Sequence, residues 1–216
     1  DLYGLRELVQ FDVNLVEGLD RSELADLLAR AHDFVHYVGH VDDRGLQCTD
    51  GFLDARTLDT VGTRAFVLNA CRTYEQGMAL VEAGAIGGAV TLADIGNRPA
   101  TRIGRAFARL LNAGFSLGSA LDILKLGAEG GRQYMIVGDP NLWLARSRSA
   151  PVRLDIKRVG ENRFTIAVHG YPTSYCGLGT LTTPHVATND RRYLHAGHIA
   201  DYTVTGAQLA DALRLE

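Results

Sequence analysis

The chain has 216 residues, 46% of them hydrophobic, and its 22 Lys and Arg against 25 Asp and Glu give a net charge of −3. This balance excludes the basic footprint of a nucleic-acid partner, and no apolar run reaches membrane-spanning length. Three cysteines, Cys48, Cys71 and Cys176, lie far apart and fit free thiols in a reducing, cytoplasmic compartment better than a disulfide framework.

In chain order, the sequence opens on Asp1 with no signal peptide, as expected of a fragment or processed product of a longer protein. Ser22 to His32 alternates leucines and charges at helical spacing, with Ser22 as N-cap. The apolar run from Phe34 reads as a buried strand ending at His40. Asp42 to Thr63 is polar and turn-rich, with a turn at Asp42-Asp43-Arg44-Gly45. A second buried strand runs from Ala65 to Cys71. Tyr74 to Ala83 reads as a helix with Met78, Leu80 and Val81 inward, and Gly87 to Leu92 as a third strand. Pro99 suits the first turn of a helix reaching about Asn112. Ser116 to Ala128 forms another helix, with Leu117, Leu121 and Leu124 at core spacing. Tyr134 to Val137 is a fourth strand, closed by Gly138-Asp139-Pro140. Alternation of strand and helix argues a mostly parallel α/β sheet covered on both faces.

The pattern changes near Ser147. Val152 to Lys157 and Phe164 to Val168 alternate with period two around a Gly160-Glu161-Asn162 turn, which predicts an antiparallel hairpin. A last helix over 207–213 follows Thr205 as its cap. We place a domain over 1–148 and a small β-rich C-terminal extension over 149–216.

Ligands of open α/β sheets bind at the carboxyl ends of strands, and His40, Cys71 and Asp94 all fall there. On neighbouring parallel strands, His40 and Cys71 stand side by side, the minimum for nucleophilic attack on a carbonyl. His40 is the candidate general base and acid, and Cys71 the nucleophile. Backbone amides near Gly39 and Cys71 are candidate oxyanion-hole donors, and Asp94 is a candidate binder of a basic side chain. Taken singly, each has a plainer reading: Cys71 as a small buried hydrophobe, His40 as a satisfied core residue, Asp94 as a cap. The i, i+4, i+8 spacing of His32, His36 and His40 loses its meaning on a strand. Cys176, His185, His195 and His198 match no standard zinc spacing, so no metal is expected. Gly84 to Gly88 lacks the marks of a phosphate loop, and Gly177-Leu178-Gly179 reads as a plain turn.

These segments resemble the CHAT group of caspase-like, separase-related cysteine peptidases. His36-Tyr37-Val38-Gly39-His40 resembles that family's strand with a terminal Gly-His, and Asn69-Ala70-Cys71-Arg72-Thr73 its Ala-Cys nucleophile motif. Ala83-Gly84-Ala85, Gly88 to Leu92 and Ile136 to Pro140 resemble the elements that follow, so the ordered match runs from about residue 20 to 144. The resemblance implies a caspase-like three-layer α/β/α sandwich and endopeptidase chemistry without metal or cofactor, with His40 and Cys71 as catalytic dyad. Leu92-Ala93-Asp94-Ile95 resembles a separase-like stretch whose carboxylate meets a basic P1 side chain, so cleavage after Arg or Lys is implied. So are a protein or peptide substrate and a regulatory region or partner outside these residues, in a prokaryotic defence or cell-death pathway. The chain departs from the family in carrying Val41 where Gly usually follows the His, a position whose amide the resemblance assigns to the oxyanion hole, and it lacks the family's opening strand and helix. His40 lies 31 residues (71 − 40) before Cys71, against about 50 in caspases. A catalytically silent scaffold is the rival reading, with Val41 in its favour.

Overall fold

The structure, a computed structural model, describes residues 11–128, 130–146, 152–172, 174, 180–182, 191–193 and 195–213. Cys176, His185 and Gly177-Leu178-Gly179 lie outside the described residues. The chain divides into two compact units, Asp1–Ala145 and Arg146–Glu216.

The first unit opens with helix α1 (Arg21–Ala29). Its N-cap is Asp20 rather than Ser22. The Asp20 carboxylate accepts from the Glu23 amide at 2.8 Å, and Glu23 accepts from the Asp20 amide at 2.9 Å. Such a capping box satisfies two orphan donors at once, which Ser22 inside the first turn cannot do. Strand β1 (Phe34–Val38) follows. The segment expected as turns contains a small antiparallel meander instead: β2 (Val41–Asp42), β3 (Gly45–Cys48) and β4 (Gly51–Leu53). The expected turn is there, as the two-residue connection between Asp42 and its partner Gly45.

Beyond a short 3-10 turn come β5 (Ala65–Asn69), α2 (Tyr74–Glu82), β6 (Gly87–Thr91), α3 (Asn97–Asn112), α4 (Leu117–Gly127) and β7 (Tyr134–Gly138). The sheet order is β1-β5-β6-β7. β1, β5 and β6 are parallel, whereas β7 runs antiparallel to β6. Strands β5 and β6 are buried at every residue, as continuous apolar runs in a sheet covered on both faces must be. Phe66, Leu68, Val90 and Val137 pack with Leu24 and Leu28 of α1 and Ala79 and Leu80 of α2. Burying one such leucine fully stabilises the fold by about 1.5–3 kcal/mol. Helices α3 and α4 contact β5, β6 and β7. Gly104 of α3 lies against the side chains of His36 and Asn69, which alternate to the face opposite Tyr37 and Leu68. The result is a mostly parallel α/β sheet with helices on both faces, consistent with a caspase-like fold.

The second unit is β-rich. Strands β8 (Val152–Gly160), β9 (Arg163–Gly170) and β12 (Gly197–Thr205) form an antiparallel sheet in the order β12-β9-β8. Strands β10 (Thr180–Thr182) and β11 (Arg191–Tyr193) pair separately. Ile166, Val168, Ile199 and Val204 form its core, with Leu209 of the last helix, α5 (Gly206–Leu213), against them. Thr205 caps α5 as expected, its hydroxyl accepting from the Gln208 amide at 3.4 Å while its own amide donates to Gln208 Oε1 at 2.9 Å.

Candidate active site

The β1–β5 ladder sets the site. Parallel register pairs Phe34 with Ala65 and ends with Val38 opposite Asn69. His40 and Cys71 each follow two residues later, at the same edge of the sheet. Neighbouring strands lie about 4.8 Å apart, which sets the spacing of the last pair, Val38 and Asn69.

His40 is exposed, and its backbone is pinned. Its carbonyl accepts from the Tyr37 hydroxyl at 2.8 Å and from the Gln47 amide at 2.9 Å. The Tyr37 hydroxyl also donates to the Gln47 carbonyl, at 3.1 Å. Burial, the larger effect, pushes the Tyr37 phenol up to about 12, so it remains a donor throughout the neutral range. Gly39 must be glycine here, because a Cβ would sit 2.5 Å from the Tyr37 hydroxyl. The His40–Gln47 bond makes Val41 and Leu46 the next, non-hydrogen-bonded pair of the hairpin ladder. The Val41 amide therefore turns away from β3.

Cys71 is partly buried, and its sulfur meets one residue of the β6–α3 loop twice. The thiol donates to the Ile95 carbonyl at 3.7 Å, and the Ile95 amide donates to Sγ at 3.4 Å. In the other described cysteine, Cys48, burial first and the charge of Asp50 second push the thiol up. Arg72 stands at φ 51°, the one non-glycine residue with positive φ among those described. Its guanidinium pairs with Asp94, Nε to Oδ1 at 3.1 Å and a second nitrogen to Oδ2 at 3.2 Å. Consecutive residues Cys71 and Arg72 thus bind consecutive residues Asp94 and Ile95. The carboxylate expected to receive a basic substrate group is held here by Arg72.

Beneath this turn lies a polar network absent from the sequence reading. The Thr73 and Thr91 side chains are fully buried. Thr73 Oγ1 accepts from the Thr91 amide at 2.8 Å, Thr91 Oγ1 accepts from the Thr73 amide at 3.2 Å, and Thr91 also donates to the Ala70 carbonyl. These bonds fix the turn carrying Cys71 to the end of β6. Asn69 donates to the Ala100 carbonyl of α3 at 3.0 Å and accepts from the Tyr134 hydroxyl at 2.5 Å. Burial, and after it the charge of Cys71, push the Tyr134 phenol well above its usual range. An asparagine and a threonine closing two apolar strands were the available signals for Asn69 and Thr91. Nothing local marks Tyr134.

His36, two residues before the opposing strand end, is a separate matter. Its Nε2 is buried without a hydrogen-bond partner, and burial lowers its pKa to about 4. In the second unit, His198 pairs with Asp201 at 3.1 Å and His195 contacts its neighbour's carbonyl. Among the described residues no group of three His, Cys, Asp or Glu side chains converges as metal ligands would. Among the described residues no helix is long and apolar enough to cross a membrane.

No family model matches the chain, and neither does any curated protein. Among solved structures, the complex of the pro- and mature domains of RgpB from Porphyromonas gingivalis is similar, with a TM-score of 0.49 and 12% identity. The match covers 91% of this chain and 53% of that one, so the chain spans about half the length of the solved protein.

Proposed function

We propose that the first unit is a cysteine endopeptidase with His40 and Cys71 as its dyad. What supports this reading is the β1–β5 register, whose last pair, Val38 and Asn69, stands two residues before an imidazole, His40, and a thiol, Cys71. His40 removes the Cys71 proton, and the thiolate adds to the scissile carbonyl. Amides of Gly39, Val41 and Cys71 receive the oxyanion, each such donor contributing about 10²–10³ in rate. His40 then protonates the leaving amine, and water releases the acyl group from sulfur with His40 again as base.

Asp94 selects a basic P1 residue in this reading. The Arg72–Asp94 pair is exposed on both sides, with 74% and 69% of the side-chain surface accessible, so exchange for a substrate guanidinium is cheap. A protein substrate, a regulatory partner and a place in prokaryotic defence or cell death follow from the resemblance of the motifs to CHAT peptidases.

The test is cleavage of a fluorogenic peptide library by the wild type, Cys71→Ala, His40→Ala and Asp94→Asn. We expect cleavage after Arg or Lys, abolished by either dyad substitution, with Asp94→Asn losing the basic preference. Cleavage that survives Cys71→Ala would sink the dyad. A folded wild type that cuts nothing would favour a scaffold whose role is binding.

A further inference from the structure

Helix α3 carries a row of arginines that the overall charge conceals. Arg98, Arg102, Arg105 and Arg109 follow one another at spacings of four, three and four. At 3.6 residues per turn they fall within an arc of about 60° and span about 16 Å along the axis. Arg98, Arg102 and Arg109 are exposed and Arg105 is half-buried, while Ile103, Phe107 and Leu111 on the opposite face are buried. The helix contains no acidic residue.

This placement works against the helix itself. Arginines three and four apart repel, and cations in the first turns oppose the positive end of the macrodipole. Arg98 and Arg102 form no ion pair or hydrogen bond among the described residues that would offset it. Local violations of this kind are what a binding surface leaves in a stable fold. The row also begins three residues beyond Ile95, whose amide meets the Cys71 sulfur.

We propose that the α3 arginine row docks an acidic segment of polypeptide, and that this segment belongs to the substrate whose scissile bond reaches Cys71. An extended segment of about five residues matches its length. A nucleic acid fits less well. Single-strand binding draws on aromatic stacking platforms, and the one aromatic side chain of α3, Phe107, is buried and offers no base a stacking surface.

The substrate assignment rests on the peptidase reading, so docking is measured first on the full chain carrying Cys71→Ala, where no bond is cut. The probes are a fluorescein-labelled peptide of alternating Glu and Ser, its all-Ser analogue, and a single-stranded RNA of matching length, followed by anisotropy. The acidic peptide should bind, weaken as salt rises, and lose about tenfold or more in affinity when Arg98→Glu and Arg102→Glu are combined. The same double variant should melt at or above the parent temperature, because glutamates suit a helix N-terminus. Tighter binding of RNA than of peptide, no binding of the acidic peptide, or a fall in melting temperature alongside lost binding would each overturn the docking surface. With Cys71 restored, attaching the acidic segment to a cleavable peptide should lower KM and leave kcat alone. An unchanged KM in an enzyme that cleaves would overturn the substrate assignment.

Discussion

Burial of His36 beneath α3 has a thermodynamic signature. Its pKa falls from the ordinary 6.5 to about 4 because the charged ring loses its water. As pH drops, the unfolded chain takes up this proton first. Stability therefore declines between about pH 6.5 and 4 and levels off below, by up to about 3 kcal/mol from this group alone. Urea unfolding across that window should show the decline in the wild type and a flatter profile in His36→Leu. Parallel profiles would remove His36 as the cause. Thr91 makes a different test at the same scale. Thr91→Val keeps the shape but strips the hydroxyl from the Thr73 amide and the Ala70 carbonyl. We expect a loss of about 1–3 kcal/mol in urea unfolding, together with lower kcat, since the turn holding Cys71 loosens. Unchanged stability would mean the network contributes nothing.

Among the elements, α3 is the one whose seating the site depends on. A Cβ at Gly104 would come 2.8 Å from the His36 ring and 2.9 Å from the Asn69 amide nitrogen. Neither neighbour yields easily, because His36 is enclosed and Asn69 is bonded on both sides. Gly104→Ala should cost about 1–3 kcal/mol, read as a lower urea midpoint with the slope unchanged. A variant as stable as the wild type would show that α3 shifts freely. Other element-level features explain what the sequence could and could not reveal. The buried strands β5 and β6 and the β8–β9 hairpin were legible from apolar runs and period-two alternation. Strands β2, β3 and β4 were not, because two to four residues are too few to display a period. The start of α1 was ambiguous between two good caps, Asp20 and Ser22, and only the reciprocal bond to Glu23 decides it. The direction of β7 leaves no trace in its own residues. Two helices rather than one separate it from β6, and the extra pass brings the chain back the other way.

For the whole molecule, motifs at strand ends located the candidate site because an α/β sheet places such ends together. The supports of that site were hidden, since Tyr134 lies 65 residues from the Asn69 it bonds. The arginine row was hidden by averaging, with a net charge of −3 masking a local excess. The ladder between β1 and β5 has one more consequence, which concerns assembly in time. Its partners are 31 residues apart, Phe34 with Ala65 through Val38 with Asn69, and no α-helix bridges them, only the β2-β3-β4 meander and a short 3-10 turn. The meander's hairpins are local and close quickly, whereas the parallel ladder must first meet the entropy of a long loop. No short stretch of the nascent chain holds both members of the proposed dyad in register. In the peptidase proposed above, Cys71 gains its base only once this long-range pairing is complete.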